Sequence, residues 1–197
     1  MTGNIDVISF FRENYRIYDE KLLKEMDRIA QVRQTTRGEI LLKQGEVPRY
    51  ILFHLEGIER GYYIDDSGVE HTEGFSGMHS LPLMPATALD EPSSISVEVL
   101  KAGEILLLPT EKVLEMLPFY PALLQAYNRI LQYSVKVHVE IKNALLQYDA
   151  KQRYLWFIKK FPGITEQVNH RYIASFLDMT PETLSRIRKM GGTAQMY

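Results

Sequence analysis

The spacing of apolar positions changes twice along this chain, and each change marks a different kind of element. Near the N-terminus Tyr18, Leu22, Leu23, Met26 and Ile29 recur at helical spacing. From Gln31 to about Gly74 the apolar residues come instead in short β-prone runs broken by turn signals. Ile40-Leu-Leu precedes Gln44-Gly-Glu46, Tyr50 to Phe53 precedes Glu56-Gly57, and Ile58 to Ile64 precedes Asp65-Asp-Ser-Gly68. Turns every ~8–12 residues predict an antiparallel sandwich or barrel. Two further strands, Ile95–Leu100 and Ile105–Leu108, are predicted across Lys101-Ala-Gly-Glu104, after a proline-bearing, loop-rich insertion from Gly77 to Pro92. Thr110 reads as the N-cap of a short helix ending near Pro118, with Glu111 in its first turn.

The remainder is helical. Between Pro121 and about Tyr148 the positions Leu123, Tyr127, Ile130, Ser134, Val137, Ile141, Ala144 and Tyr148 alternate steps of four and three. That is a coiled-coil seam of about three and a half heptads, or else the packed face of a long helix on its own domain. Asp149 to Phe161 predicts another helix, stopped by Pro162-Gly163. In NHRYIASFLDMTPETLSRIRK two helical patterns flank a short break. Ile173, Ala174 and Leu177 form the apolar face of the first, Leu184 and Ile187 that of the second, and small Ala174 lets the two cross closely. Thr180 is placed to cap the second helix, and Pro181 sits where a helix has no N–H to lose. Asp178 stands in the break where many such turns carry glycine, and aspartate tolerates the left-handed conformation better than most residues.

That disposition leaves Pro181, Glu182, Thr183, Arg186 and Lys189 off the buried face. Charge then adds a reason to look there. The whole chain is formally −2, yet residues 151–197 hold eight Lys/Arg against three acidic side chains. A basic terminal unit is what counterion release from a polyanion requires, and a solvated basic helical face is the plainer alternative. In a major groove, Glu182 would accept from cytosine N4 and Arg186 would fork onto guanine O6 and N7. Four residues apart on one helix, they would also orient each other.

Composition narrows the chemistry. The 197 residues include no cysteine, which removes disulfides, thiolate nucleophiles and cysteine-held metal clusters. No stretch approaches the ~20 apolar residues of a membrane span, and the N-terminus lacks a basic patch followed by an apolar core, so a soluble cytoplasmic protein without membrane association is expected. His54, His71, His79, His138 and His170 are scattered without metal-ligand spacing, and no metal or cofactor is expected. No phosphate loop, nucleophile elbow or paired-carboxylate spacing appears, and no enzymatic activity is expected.

With RGEILLKQGEVPRYILFHLEGIERGYYIDDSGVEHTEGF in front and IASFLDMTPETLSRIRK behind, the sequence resembles the cyclic-AMP receptor protein and fumarate–nitrate regulator (CRP/FNR) superfamily of bacterial transcription factors. The resemblance spans nearly the whole chain and is most specific in the terminal motif and in the spacing of Gly38, Gly45-Glu46, Gly57 and Gly68. It implies an α+β fold in three parts. Residues 1–120 form an antiparallel β-roll (a double-stranded β-helix) that senses an effector, 121–148 a long dimerisation helix, and 149–197 a winged-helix-like helix-turn-helix unit. It also implies a homodimer, a palindromic operator on double-stranded DNA, a small-molecule effector and RNA polymerase as a partner. Base-edge contact falls on Glu182 and Arg186, and phosphate contact on Thr183. Thr180 joins the DNA-contacting set beside them, and Arg171, Arg188 and Lys189 join it on electrostatic grounds.

Two places depart from the family. Cyclic-nucleotide members hold the ribose with a Gly-Glu pair and the cyclic phosphate with an Arg-Ser pair. The corresponding positions here are Pro82-Leu83 and Ser93-Ser94. Loss of three or more charge-assisted contacts, each ~1.5–3 kcal/mol, removes most affinity for a cyclic nucleotide, so cyclic AMP is not the expected effector. The segment from Pro162 to Asn169 also leaves little room for a β-hairpin wing. Leu83, Met84, Ser93, Ser94 and His138 remain as candidate effector-pocket residues, the methionine-bearing loop having core filling as its plainer reading. The rival function is a ligand-binding or protein-interaction module whose terminal helices are only structural.

Overall fold

The computed structural model describes residues 5–76 and 88–191, so Leu83, Met84 and His79 in the predicted insertion lie outside the described residues. Two N-terminal helices, α1 (Val7–Tyr15) and α2 (Glu20–Ile29), are capped by Asp6 and Asp19, whose carboxylates accept from backbone amides of the first turn. Five antiparallel strands follow: β1 (Gln31–Gln34), β2 (Ile40–Leu42), β3 (Tyr50–Ile64), β4 (Glu70–Phe75) and β5 (Ser96–Pro109). Their order is β1-β5-β3-β4, with β2 also on β5.

The predicted breaks at Glu56-Gly57 and Lys101–Glu104 are not loops. β3 and β5 run through them, paired from Tyr50 opposite Pro109 to Tyr62 opposite Ser96, with register shifts between His54 and Glu59. Two glycines make this possible. Gly57 has φ 108°, and a Cβ on Gly103 would lie 2.1 Å from the Glu56 carbonyl oxygen. The bulged strands therefore cross at a separation that no side chain permits.

One face of the strand pair carries Phe53, Leu106 and Leu108 under Phe11, Leu22, Leu23 and Met26 of the N-terminal helices. Each such burial contributes about 1.5–3 kcal/mol. α3 (Thr110–Met116) follows β5 directly. Thr110 is its first residue rather than its cap: Pro109 holds the cap position, and no side chain caps the helix.

α4 (Pro121–Gln147) is the long helix, and it carries two apolar stripes. Leu123, Ser134, Val137 and Ala144 of the predicted seam are buried within the single chain, so this stripe packs on the chain's own domains. Leu124, Val135, Val139 and Leu146 stay 48–73% exposed. At 3.6 residues per turn these four, with Leu131, fall within about 80° of one another and roughly 130° from the seam.

α5 (Ala150–Lys160) starts at a capping box between Asp149 and Gln152. A single 3₁₀ turn at Ile164–Glu166 leads to α6 (His170–Phe176) and α7 (Pro181–Gly191), with no strand among the described residues of 162–169. These helices share a core with the sheet. Phe157, Phe161, Ile164, Ile173, Phe176 and Leu184 cluster with Ile58 of β3 and Phe75 of β4.

Candidate nucleic-acid interface

α7 is fixed from beneath and open above. Leu184 is fully buried and Ile187 is 8% exposed, while Glu182, Ser185, Arg186 and Lys189 face solvent. The Thr183 amide donates to Thr180 Oγ1 at 3.2 Å, which makes Thr180 the side-chain cap of the first turn. The Glu182 carboxyl is held below its ordinary range, first by its own amide at the helix start and then by the Thr180 hydroxyl. It is therefore an ionised acceptor at neutral pH. Glu182 and Arg186 make no ion pair with each other, contrary to the expected mutual orientation: the Glu182 carboxyl turns back to the helix start and the exposed Arg186 guanidinium is not drawn onto it. Pro181, Glu182, Ser185, Arg186, Lys189 and Met190 line one open surface.

The turn beneath α7 uses the conformation expected of it. Asp178 has φ 49°, in the left-handed region. Its amide donates to the Ser175 carbonyl at 3.1 Å, and the Met179 amide donates to that of Ala174 at 3.0 Å. Arg153 of α5 closes the turn from outside, its Nη1 donating to the Leu177 carbonyl at 2.6 Å and the Asp178 carbonyl at 3.0 Å. Sequence reasoning missed this residue. The signal was an arginine four residues past the capping aspartate, counted before only as one of the basic residues of 151–197.

The other sequence-predicted cations differ in availability. Lys189 is exposed. Arg188 is drawn sideways, with Nη1 2.7 Å from His170 Nδ1 and 2.6 Å from its Nε2, while His170 Nε2 lies 3.1 Å from the Thr165 carbonyl. The Arg188 guanidinium therefore lies against the His170 ring. Arg171, at the start of α6, donates to the Tyr172 hydroxyl at 2.6 Å and lies 4.6 Å from that ring's centroid.

Tyr172 also meets the sheet. The Arg60 guanidinium of β3 lies 3.9 Å from the Tyr172 ring and 4.1 Å from the Tyr62 ring. Its Nη2 donates at 2.8 Å to both Glu70 and Glu98, and the side chain is only 3% exposed. Nearby, the Thr72 amide of β4 donates to Ser175 Oγ at 2.9 Å. The helical unit of α5–α7 is thus docked on the sheet by a buried cation, two aromatic rings and a backbone-to-side-chain hydrogen bond. None of this was legible in advance, because Arg60 read as one more strand residue.

The candidate effector residues are placed as follows. Ser93 is buried in a turn, its carbonyl accepting from the Gly45 amide at 2.8 Å, its amide donating to the Glu46 carbonyl at 2.9 Å, and its hydroxyl bonded to the Ile95 backbone. Ser94 is exposed. His138 is half-exposed on α4, with Nδ1 2.8 Å from the Ser134 carbonyl and Nε2 3.2 Å from Glu73 Oε1 on β4. A buried polar cluster lies inside the roll, where Glu59 accepts from the Ser76 hydroxyl and stands 2.9 Å from His54 Nδ1. Among the described residues no helix is long and apolar enough to cross a membrane, and no three His, Asp or Glu side chains converge as metal ligands.

No family model matches the sequence, and no curated protein matches it either. Solved structures do. FixK2 from Bradyrhizobium japonicum aligns at TM-score 0.72 and 14% identity, over 84% of this chain and 86% of its own. CLP from Xanthomonas campestris, described as a c-di-GMP responsive global regulator, aligns at 0.71 and 13% over 91% and 95%. A putative transcriptional regulator of the CRP/FNR family from Eubacterium rectale aligns at 0.69 and 15% over 92% and 89%. At such identities the likeness establishes the fold: this chain has the architecture of the CRP/FNR regulators, a β-roll joined through a long helix to a helix-turn-helix unit.

Proposed function

We propose that the protein is a homodimeric, sequence-specific DNA-binding transcription regulator of the CRP/FNR type, not an enzyme, acting in the cytoplasm with RNA polymerase as its downstream partner. The observation that carries this reading is the solvent face of α7, where a capped helix holds an ionised Glu182, Arg186 and Lys189 outward over a buried Leu184 and Ile187. A helix so mounted enters a major groove without rearrangement of its own core. Arg186 and Glu182 read base edges, and Thr180, Thr183, Arg171 and Lys189 meet phosphate. Arg188 contributes only after leaving His170.

The second copy covers the exposed stripe of Leu124, Leu131, Val135, Val139 and Leu146. Dimerisation there places two α7 helices on the two halves of a palindrome, one helical turn apart. A cyclic nucleotide is not the effector. No guanidinium stands at Ser93-Ser94, and the Ser93 hydroxyl is committed to its own turn.

Genomic fragment selection with the purified protein at stated salt tests the reading, followed by two variants. Arg186→Ala is expected to cost about 1–3 kcal/mol on the selected site and to relax preference at one base pair. Lys189→Ala is expected to weaken all sequences alike and to flatten the salt dependence by about one counterion. Equal loss for Arg186→Ala on selected and random duplexes overturns its role. Absence of any steep salt dependence supports the rival, a binding module with purely structural terminal helices.

A further inference from the structure

At the end of the molecule formed by the N-terminal helices, a cavity of about 80 Å³ opens between α1, α2, the first half of β3, α3 and the start of α4. Phe11, Tyr15, Phe53, Leu123, Ala126 and Tyr127 give it almost wholly apolar walls. Pro48, Tyr50, Leu52, Leu89 and Thr110 wall both this cavity and an open groove of about 1220 Å³ beside it. Cavity and groove therefore share walls, the cavity almost wholly apolar and the groove lined by charged side chains as well.

Thr110 stands at the threshold. It is 6% exposed, and its Oγ1 has no hydrogen-bond partner among the described residues. A buried hydroxyl left unpaired is destabilising, and valine fills nearly the same volume without that cost. Thr110 walls both spaces, so its buried, unpaired hydroxyl is the polar group left for a ligand's polar end.

Charge and volume then limit what enters. Glu46, Asp90, Glu111 and Glu115 outnumber Arg33 and Arg49 along the groove, and Arg33 is already 2.8 Å from Glu39. The carboxylate excess repels an anionic head. Glu115 is paired with Lys112 at 2.8 Å and Glu46 accepts from the Lys43 amide at 3.3 Å, so two of the four carboxylates already have partners that an ammonium would have to displace. Since an apolar cavity of about 150 Å³ takes benzene, one about half that size takes roughly three or four carbons.

The geometry points to a binding site for a small uncharged amphiphile, an alkyl chain of roughly three or four carbons bearing one hydroxyl or carbonyl that pairs with Thr110 Oγ1 while its tail fills the cavity. The site is walled by neither Ser93 nor His138, and occupancy does not depend on the DNA-reading proposal.

Saturation-transfer NMR and thermal melting of the full chain with 1-butanol, butanoate and butylamine test it. Butanol is expected to bind and to raise the melting temperature, with the two charged analogues at least tenfold weaker. Thr110→Val separates a ligand role from a structural one by sign. It should raise the melting temperature of the unliganded protein while weakening butanol about tenfold, and Thr110→Ser should keep binding within threefold. Ala126→Leu, which fills the cavity, should abolish binding. No butanol binding, equal binding by Thr110→Val, or binding of butanoate or butylamine as tight as butanol each overturns the proposal.

Discussion

Replacing Arg60 by methionine removes the cation that joins the sheet to the helical unit of α5–α7 while keeping an apolar stem of similar length. Breaking a buried ion pair by deleting one partner costs about 3–5 kcal/mol, because the other charge is left without compensation. Here the figure is smaller. Glu70 is 48% exposed and resolvates, Glu98 is 19% exposed and does so only in part, and relief of the buried, unpartnered Arg60 Nε returns about 1 kcal/mol. Loss of the two ring contacts adds about 0.5–1 kcal/mol each. The net expectation is about 2–3 kcal/mol, placed on the seam between β4 and α6 rather than on the N-terminal core.

Hydrogen exchange reads that location directly. The Thr72 amide is protected by Ser175 Oγ across the seam, so its exchange should accelerate about 30- to 150-fold in Arg60→Met. Amides of α2 should stay within about threefold of their original rates. Tyr172→Leu, which keeps both ion pairs, should give only the smaller ring-contact fraction. An unchanged Thr72 amide, or equal acceleration of every core amide, refutes the view that Arg60 holds a separable docking contact.

Three further outcomes are expected. Val135→Glu with Leu146→Glu should convert the proposed dimer to monomer in sedimentation without loss of helicity, whereas Leu123→Ala should cost about 2–5 kcal/mol in urea unfolding and leave the stoichiometry unchanged. Burial pushes the Tyr15 phenol up to about 12 from its ordinary 10.0, so the neutral form is favoured in the folded state. Stability present below pH 10 is then lost progressively as pH rises from 10 to 12, by about 2–3 kcal/mol, and urea titrations of Tyr15→Phe should lack that loss. Asp178→Gly should be neutral within about 0.5 kcal/mol, because lower left-handed strain offsets greater chain entropy, while thermal melting of Asp178→Val should show a cost of about 1–2 kcal/mol.

The parts of the fold legible in the sequence are those that a local pattern dictates. Thr180, Pro181, Leu184 and Ile187 follow from cap chemistry and one buried face, and the left-handed Asp178 follows from which residues tolerate that region. Long-range pairing is not written locally. Glu56-Gly57 and Lys101–Glu104 look like turns because glycine usually marks them. Only when the two segments lie side by side does Gly103 become the point where one backbone passes another. Arg60 is hidden for the same reason, since its partners Glu70, Glu98 and Tyr172 come from three other elements. Thr110 was misread because a β-strand ending in proline supplies the helix start itself, which leaves its hydroxyl with nothing to cap.

The long helix carries a sharper lesson about periodicity. Both of its stripes satisfy an apolar repeat, and the seam with the more regular steps of four and three is the one buried against its own chain. Regular spacing reports only that a face is covered. Which surface covers it is decided by what lies across the gap: Leu123 shares a core with Phe53 and Met26, and Ile141 packs on the aromatic core of α5 and α6. The irregular stripe, from Leu124 to Leu146, has nothing opposite it among the described residues. Because the inner stripe touches both the N-terminal core near Leu123 and the helical core near Ile141, a rotation of the helix would shift both cores together. In the proposed dimer that rotation would be set by packing between two copies, and a ligand in the proposed cavity beside Ala126 would have a physical route to α7.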